Sequence, residues 1–386
     1  MKILRIIRSL HPSGGGPIEG LKQSSPFFRK CGVDFTVACL DSPDSAWLKS
    51  LPFETIPLGP VFGSYGYRPG LPSELRTLGS GFDAVIVEGL WQYHAFASWR
   101  AFHTSCLPYY VFTHGMLDPW FNRAYPLKHL KKSIYWSLAE QRLLRDASGV
   151  LFTTNTEKNL ARQSFPNYHA IEYVVGYGAS EAPKLSPDDI NSFYSRYPSL
   201  RGQQIFLFLG RIHPKKGVDL LVRALADAVA QETSCHLALA GPVDRDYQRH
   251  LLSLIDSLGL DSNVTWTGPL SGPMKWAAFR VAQLFCLPSH QENFGVAVAE
   301  ALSVGLPVCI SSSVNISDLV AQAGAGLVHP DTINGTSVAL LRWLQTPTAI
   351  RSSMSQSALQ LFQSQFQWDH VAQRLAGVLH GRLVQH

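Results

Sequence analysis

The chain has 386 residues, of which 46% are apolar and 16% charged, enough for sizeable cores and too apolar for a disordered chain. At roughly 100–200 residues per domain, two domains are expected. The net charge of +5 is local: residues 1–178 carry 18 Lys and Arg against 13 Asp and Glu, and residues 179–386 carry 15 of each. Segment 121–145 alone holds Arg123, Lys128, Lys131, Lys132, Arg142 and Arg145 against the single acid Glu140.

Arg5 and Arg8 break the first apolar run before it reaches the length of a signal-peptide core. No stretch of about 20 residues is apolar and free of charge, Pro and Gly, so no transmembrane helix is expected. The six cysteines form no C-x-x-C pair and read as small buried hydrophobes in a reducing, cytoplasmic compartment. The histidines show no H-E-x-x-H or similar ligand spacing, so no metal site is expected.

Short continuous β-branched or aromatic runs follow in chain order: 3–7, 35–38, 84–87, 109–113 and 150–153, then 205–209, 236–240, 264–267, 284–287 and 307–310. Unbroken apolar runs of this length fit parallel strands buried on both faces. Helical patterns lie between them, and many of the runs end in Gly, Pro, Ser or His. This predicts α/β architecture, two doubly wound domains with ligands at the carboxyl ends of the strands. The boundary is expected after Gly176-Tyr177-Gly178, giving domains at 1–178 and 179–365. A final helical stretch at 366–386, patterned on Trp368, Val371, Leu375 and Val378, is free to pack on either domain.

The second half carries the chemistry. Arg211 and Lys216 lie on the loop between the strand 205–209 and a helix starting near Val218, a place suited to a diphosphate or to an ordinary solvated basic loop. Ser289-His290-Gln291-Glu292-Asn293-Phe294-Gly295 leads into a helix at Val296. The backbone amides of Asn293, Phe294, Gly295 and Val296 are the orphan donors of that helix start. Glu292 on the loop and Glu300, about two turns into the helix, suit vicinal hydroxyls of a hexose and a ribose. Glu300 stands among apolar neighbours, and a buried carboxylate needs a partner. Gly241-Pro242 and Thr267-Gly268-Pro269-Leu270 are strand-end loops able to hold a base by backbone contacts.

Taken together, Leu209-Gly-Arg-x4-Lys-Gly, Gly241-Pro242, Gly268, Glu292-x7-Glu300-Ala301 and Gly305-x-Pro307-Val308 resemble the retaining glycosyltransferases of family four. The likeness spans about residues 205–310 and implies the GT-B fold, two Rossmann-like domains facing a central cleft. It implies that Arg211 and Lys216 neutralise a leaving diphosphate, that Glu292 contacts the donor sugar and that Glu300 holds the ribose. In the first half it implies that Gly15 and Gly16, in Ser13-Gly14-Gly15-Gly16-Pro17, lie near the donor diphosphate and that His114 contacts the donor sugar. The implied donor is a nucleotide-diphosphate sugar, with no cofactor and no metal.

Other first-half residues are read without that help. Glu88 and Trp91 end a strand and are acceptor-site candidates. Asp118 is either an acceptor contact or the cap of a helix starting at Pro119. Leu127, Leu130, Ile134 and Leu138 form one helical stripe, with Lys128, Lys131 and Lys132 elsewhere on the surface. Two readings stand open: a basic amphipathic helix on an anionic membrane, or an ordinary helix with its stripe on the core. The expected function is transfer of a sugar to a glycan or lipid-linked acceptor in cell-surface polysaccharide or glycolipid synthesis, peripheral at the membrane, with no nucleic-acid partner. An epimerase or hydrolase of the same fold, or a non-catalytic glycan-binding module, are the alternatives.

Overall fold

The computed structural model describes residues 1–124 and 126–381, without the side chains of Arg123 and Ala124. The side chain of Arg123 in the basic segment and residues 382–386 of the expected terminal helix therefore lie outside what the structure describes. The chain divides into two compact units, Met1–Gly178 with Trp368–His386, and Ala179–Gln367.

In the first unit seven strands, β1 (Lys2–Ile7), β2 (Asp34–Cys39), β3 (Thr55–Pro57), β4 (Ala84–Glu88), β5 (Tyr109–Phe112), β6 (Gly149–Phe152) and β7 (Glu172–Val174), form one parallel sheet. Its order is β3-β2-β1-β4-β5-β6-β7. In the second unit β8 (Gln204–Leu209), β9 (Cys235–Ala240), β10 (Val264–Gly268), β11 (Leu284–Leu287), β12 (Val308–Ser311) and β13 (Gly326–His329) form a parallel sheet ordered β10-β9-β8-β11-β12-β13. Both orders reverse direction once, between β1 and β4 and between β8 and β11. Ligand crevices in open α/β sheets form at the carboxyl ends of the strands flanking such a reversal. These are two Rossmann-like α/β domains, and the architecture is GT-B.

Ten strands coincide with the predicted runs. The three that were not foreseen, β3, β7 and β13, have three or four residues and stand at the ends of the sheets, β3 and β7 in one and β13 in the other. Edge position relaxes the demand for a continuous apolar run; β3 tolerates Pro57 for that reason. The central strands are buried on both faces. Leu4, Ile6, Val85, Val87 and Val111 are at most 1% exposed, as are Phe206, Phe208, Leu237 and Leu239 in the second unit. Each such side chain contributes about 1.5–3 kcal/mol. Four cysteines are buried as expected, but Cys106 is exposed and Cys31 half-buried, since both follow helices rather than sitting in strands.

The helix Trp368–Leu379 packs on the helix Gly16–Lys30 within the first unit. The segment 175–178 is shaped to receive it. Arg374 Nε donates to the Val175 carbonyl at 3.1 Å, and the Trp368 indole N–H donates to Gln23 Oε1 at 3.2 Å. A Cβ at Gly176 would meet the Arg374 guanidinium, and one at Gly178 would meet the Trp368 ring. Tyr177 lies between, edge-on to Trp368 with centroids 5.2 Å apart, and its hydroxyl donates to the Gly16 carbonyl at 2.7 Å. That ring occupies the space in front of Gly20.

Gly20→Ala is therefore expected to destabilise the protein by about 1–3 kcal/mol in urea denaturation. Helix propensity alone would make it stabilising by about 1 kcal/mol, so the sign of the change decides between the two effects.

Candidate active site

In the second unit the loop after β8 and the loop after β11 are laced together by one carbonyl. Lys215 O accepts from the Ser289 hydroxyl at 3.0 Å and from the His290 N–H at 2.9 Å. The loop after β12 holds the other side: Glu292 N–H donates to Ser313 O and Asn315 N–H to Glu292 O, each at 3.0 Å. The lacing sets the Lys216 ammonium against the Glu292 carboxylate, Nζ to Oε2, with both side chains about four-fifths buried. Burial first, then the cations Lys215 and Arg211, lower the Lys216 ammonium to about 7, while contact with Glu292 works in the opposite direction. Arg211 is exposed on the same loop.

Gly241, after β9, is required by close approach, since a Cβ there would enter the Gly210 carbonyl. Its N–H donates to Gly268 O at 2.9 Å, joining the loops that follow β9 and β10, and half-buried Leu270 lies just beyond.

The helix after β11 runs Val296–Ser303 behind Gly295, which is left-handed at φ 77°. Val298 and Ala299 N–H return to Gly295 O, so the amides of Val296 and Ala297 stand ahead of the first helical hydrogen bonds. Phe294 is buried edge-on against Phe366, and Asn293 Oδ1 accepts from Asn315 Nδ2 at 3.3 Å. Glu300 is the fifth residue of this helix, just over one turn in rather than two, because the helix begins only after Gly295. It is 5% exposed, and its partner is Lys275, whose Nζ lies 2.7 Å from Oε1 and 4.6 Å from the Trp276 ring centroid. Nothing in the sequence singles out Lys275.

In the first unit Glu88, at the end of β4, is 3% exposed and is not a free acceptor contact. Its Oε1 takes Arg5 Nε at 2.7 Å, and its Oε2 pairs with His114 Nε2 at 2.6 Å. Burial would raise the Glu88 carboxyl; Arg5 and then His114 outweigh it and hold the group below its ordinary value. Arg5 itself lies against the rings of Phe28 and Phe35. An arginine inside an otherwise apolar strand was the available sequence signal for this pair. His114 stacks on Phe112 with centroids 4.5 Å apart and has φ 50°, a conformation side chains rarely adopt. Because Nε2 bonds to a carboxylate it carries the proton, which leaves Nδ1 as the atom for a ligand.

The strained turn is clamped by buried Glu157. Oε1 accepts from the Thr113 hydroxyl at 2.7 Å and the Gly115 N–H at 2.6 Å, and Oε2 accepts from the N–H and hydroxyl of Thr153. Thr154-x-x-Glu157 has the spacing of a capping box. Thr154 does cap the helix Asn155–Ala161, but Glu157 reaches out to the β5 turn. Gly15 and Gly16 are exposed at the start of the helix Gly16–Lys30, after β1. Asp118 is 8% exposed and accepts from the Trp120 N–H at 2.8 Å, the capping role.

Trp91 has φ 71° and donates its indole N–H to Met116 O at 3.2 Å. Lys132 Nζ stands 4.5 Å from the Trp91 ring centroid, so Lys132 is half-buried and not a surface lysine. Burial lowers its ammonium, with Glu140 acting the other way. Lys128 and Lys131 are exposed. On the helix Pro126–Tyr135 and the π-helical turn Trp136–Glu140 the apolar stripe faces outward: Leu127, Leu130, Ile134 and Leu138 are 82, 64, 61 and 61% exposed. The core reading of that stripe is thereby overturned. The face that packs inward is Trp136, Ala139 and Glu140. Among the described residues, no group of three or more His, Cys, Asp or Glu is placed to hold a metal ion.

Both units are similar to domains of known proteins. The model described as "Glycosyl transferases group 1" matches residues 194–360, and "Glycosyl transferase 4-like domain" matches residues 26–175. Each half of the chain is thus similar to a glycosyltransferase domain, in keeping with the GT-B architecture. A D-inositol 3-phosphate glycosyltransferase of Mycobacterium avium is 27% identical over 247 residues, 62% of this chain and 56% of that one. The enzyme of the same name from Jonesia denitrificans is 31% identical over 249 residues, 62% and 58% of the two chains. The chain thus spans a little over half the length of these curated relatives. Among solved structures, Anabaena HepE in complex with UDP is 19% identical, with a TM-score of 0.78 over 99% of this chain and 100% of that one.

Glu140 supplies a test of the first-unit electrostatics. Its Oε1 accepts from the Trp91 N–H at 2.7 Å, while Oε2 has no hydrogen-bond partner among the described residues. Burial pushes the carboxyl up to about 8, opposed by the Trp91 N–H and Lys132. A raised carboxyl holds its proton in the folded state and loses it in the unfolded state near 4.5, so stability falls as pH rises from 4.5 to 8. Glu140→Gln keeps a neutral side chain and is expected to remove that decline, exceeding the parent by about 1 kcal/mol or more at pH 8 in urea denaturation. An undiminished slope in the variant contradicts the assignment.

Proposed function

We propose that the protein is a retaining glycosyltransferase of family four. In this reading it moves a sugar from a nucleotide-diphosphate sugar to a glycan or lipid-linked acceptor, at the cytoplasmic face of a membrane. The observation that carries the reading is the pairing of Lys216 with Glu292 beside Arg211, at the ends of β8 and β11. A cation held against a carboxylate by laced loops is set for a ligand with both charge and hydroxyls. The diphosphate takes Lys216, Arg211 and the amides ahead of Val296, and Glu292 turns to a sugar hydroxyl. Glu300, fixed by Lys275, accepts from the ribose.

In the reaction the bond from the anomeric carbon to the phosphate oxygen breaks and a bond to the acceptor oxygen forms on the same face of the sugar. The acceptor proton passes to the leaving phosphate. Arg211 and Lys216 stabilise the charge that grows on the diphosphate, which is where preorganised cations act most strongly. His114 offers Nδ1 to a donor-sugar hydroxyl, its orientation set by Glu88 and Glu157.

Arg211→Ala and Lys216→Ala are each expected to lower kcat/KM by about 100-fold or more while leaving the melting temperature within a few degrees. Near-normal turnover in both ends the reading. A lowered ammonium is partly neutral at pH 8 and becomes charged when a diphosphate binds. Binding of a nucleotide diphosphate is therefore expected to take up protons at pH 8 and almost none at pH 6, with affinity falling between them. Calorimetry in buffers of different ionisation enthalpy measures this directly, and Lys216→Ala is expected to abolish the uptake.

The outward stripe of the helix Pro126–Tyr135, with Lys128 and Lys131 beside it, supports attachment to an anionic bilayer. No helix among the described residues is long and apolar enough to cross a membrane. Lys128→Gln with Lys131→Gln is expected to weaken binding to anionic vesicles about tenfold or more, at about 1 kcal/mol per lysine. Leu130→Ser with Ile134→Ser is expected to weaken binding to neutral and anionic vesicles alike. Unchanged sedimentation of both variants excludes the attachment.

A further inference from the structure

Two cations at the carboxyl end of the first unit's sheet have no part in the pairs described above. Arg8 directly follows β1, and Lys132 lies over the ring of Trp91, three residues beyond β4. β1 and β4 are neighbours, and the strand order reverses between them, which is where an open α/β sheet forms its ligand crevice. Among the described residues neither cation has a hydrogen-bond or ion-pair partner.

Lys132 is fixed without being neutralised. Its Nζ stands 4.5 Å from the Trp91 ring centroid and 5.6 Å from that of Phe121. The side chain is half-buried, so the ammonium has given up water and gained no acceptor. Glu140 is the carboxyl that acts on it, but burial keeps the Glu140 proton in place up to about 8, and Oε1 is taken by the Trp91 N–H. Two irregular features maintain this arrangement. Trp91 has φ 71°, and Glu140 ends the π-helical turn Trp136–Glu140 that interrupts the regular helix after Tyr135. Left-handed residues other than glycine and single π-helical turns both concentrate at functional sites.

Arg8 is held by a hairpin. Phe62 and Tyr67 exchange backbone hydrogen bonds of 2.8 and 3.1 Å, and Gly66 inside that turn has φ 77°. A Cβ at Gly66 would meet Arg8 Nε, which is sealed in and has no acceptor. The half-buried side chain reaches the surface through its terminal nitrogens, which have no acceptor either. Burial lowers the His94 imidazole to about 4, and the Arg8 charge adds to this against the Glu88 carbonyl, so Arg8 is felt on the β4 side of the crevice. The same hairpin reaches the helix of Lys132. Tyr65 and Tyr135 are joined hydroxyl to hydroxyl at 2.6 Å, and Tyr65 O accepts from the Tyr93 N–H at 2.9 Å. The hairpin thus bridges the two cations.

A desolvated cation without a partner costs stability that an oxyanion can return. We propose that Arg8 and Lys132 are an acceptor-binding pair, selecting an acceptor that carries an oxyanion, phosphate or carboxylate, on its sugar. Calling that ligand the acceptor rests on the transferase reading; the binding of the oxyanion does not. Calorimetric titration of the chain carrying Arg211→Ala and Lys216→Ala, which lacks the second unit's diphosphate cations, tests it with glucose, glucose 6-phosphate and glucuronate. Saturable one-to-one binding of an anion, at least about tenfold tighter than that of glucose, is expected. The ester binding tighter assigns phosphate, and glucuronate binding tighter assigns carboxylate. Arg8→Met and Lys132→Met, each added to that chain, are expected to weaken the anion at least about tenfold. Each keeps an apolar stem and removes an unpaired charge, so the melting temperature of the unliganded protein is expected to stay or rise, whereas a structural role lowers it. Anions bound no tighter than glucose, or full affinity in either variant, overturn the proposal. UDP and GDP binding to the parent chain reads the donor side separately. Nucleotide binding without anion preference refutes this pair alone, and anion binding with neither nucleotide bound refutes the transferase reading alone.

Discussion

The Lys215 carbonyl oxygen governs the candidate site. By accepting from both Ser289 and His290 it binds the loop after β8 to the loop after β11, across the point where the strand order reverses. Without that double acceptance the two loops would be independent, and Lys216 and Glu292 would be two solvated side chains. With it they form a desolvated pair. The loop after β12 adds a second strap through the backbone of Glu292. A backbone hydrogen bond is worth only about 1 kcal/mol net. Its leverage here comes from position, because it sets where two charges meet.

The first unit uses the opposite device. Its candidate histidine, His114, is placed by buried carboxylates rather than by backbone lacing. Glu88 is anchored by Arg5 from β1 and orients His114 from the β5 turn, so one ion pair spans the strands on either side of the reversal. Glu157 then spans from the turn after β6 to the turn after β5. A buried charge is costly unless partnered, and here each carboxylate accepts from at least two donors. The cost is offset by geometry that keeps His114 in a backbone conformation it would otherwise avoid.

The residues that were legible in the sequence are those whose placement follows from local order. The strands were visible because burial on both faces forces an unbroken apolar run. Arg211, Lys216, Glu292 and Glu300 stood out because they lie at strand ends and a helix start with fixed spacing. What escaped notice depends on long-range pairing. Lys275 meets Glu300 from a different helix, Glu157 turns away from its own capping box, and Glu88 turns inward to Arg5, 83 positions earlier in the chain. The helix 126–135 failed in another way. Its periodicity marked one apolar face correctly, but periodicity does not say whether that face meets protein or solvent. The neighbouring Trp136 and Glu140 take the inward position, and the stripe is left outside.

The discontinuity of the first unit bears on how the chain is made. Its terminal helix begins at Trp368, and the whole of the second unit is synthesised between that residue and Gly178. During synthesis Tyr177, Gly178 and the near face of the helix Gly16–Lys30 must wait uncovered while an entire domain emerges and folds behind them. The seven-stranded sheet can form early, but its final apolar seam closes only after Trp368–Leu379 has been made. Vectorial order therefore makes the second unit the first to be finished, although it comes later in the sequence.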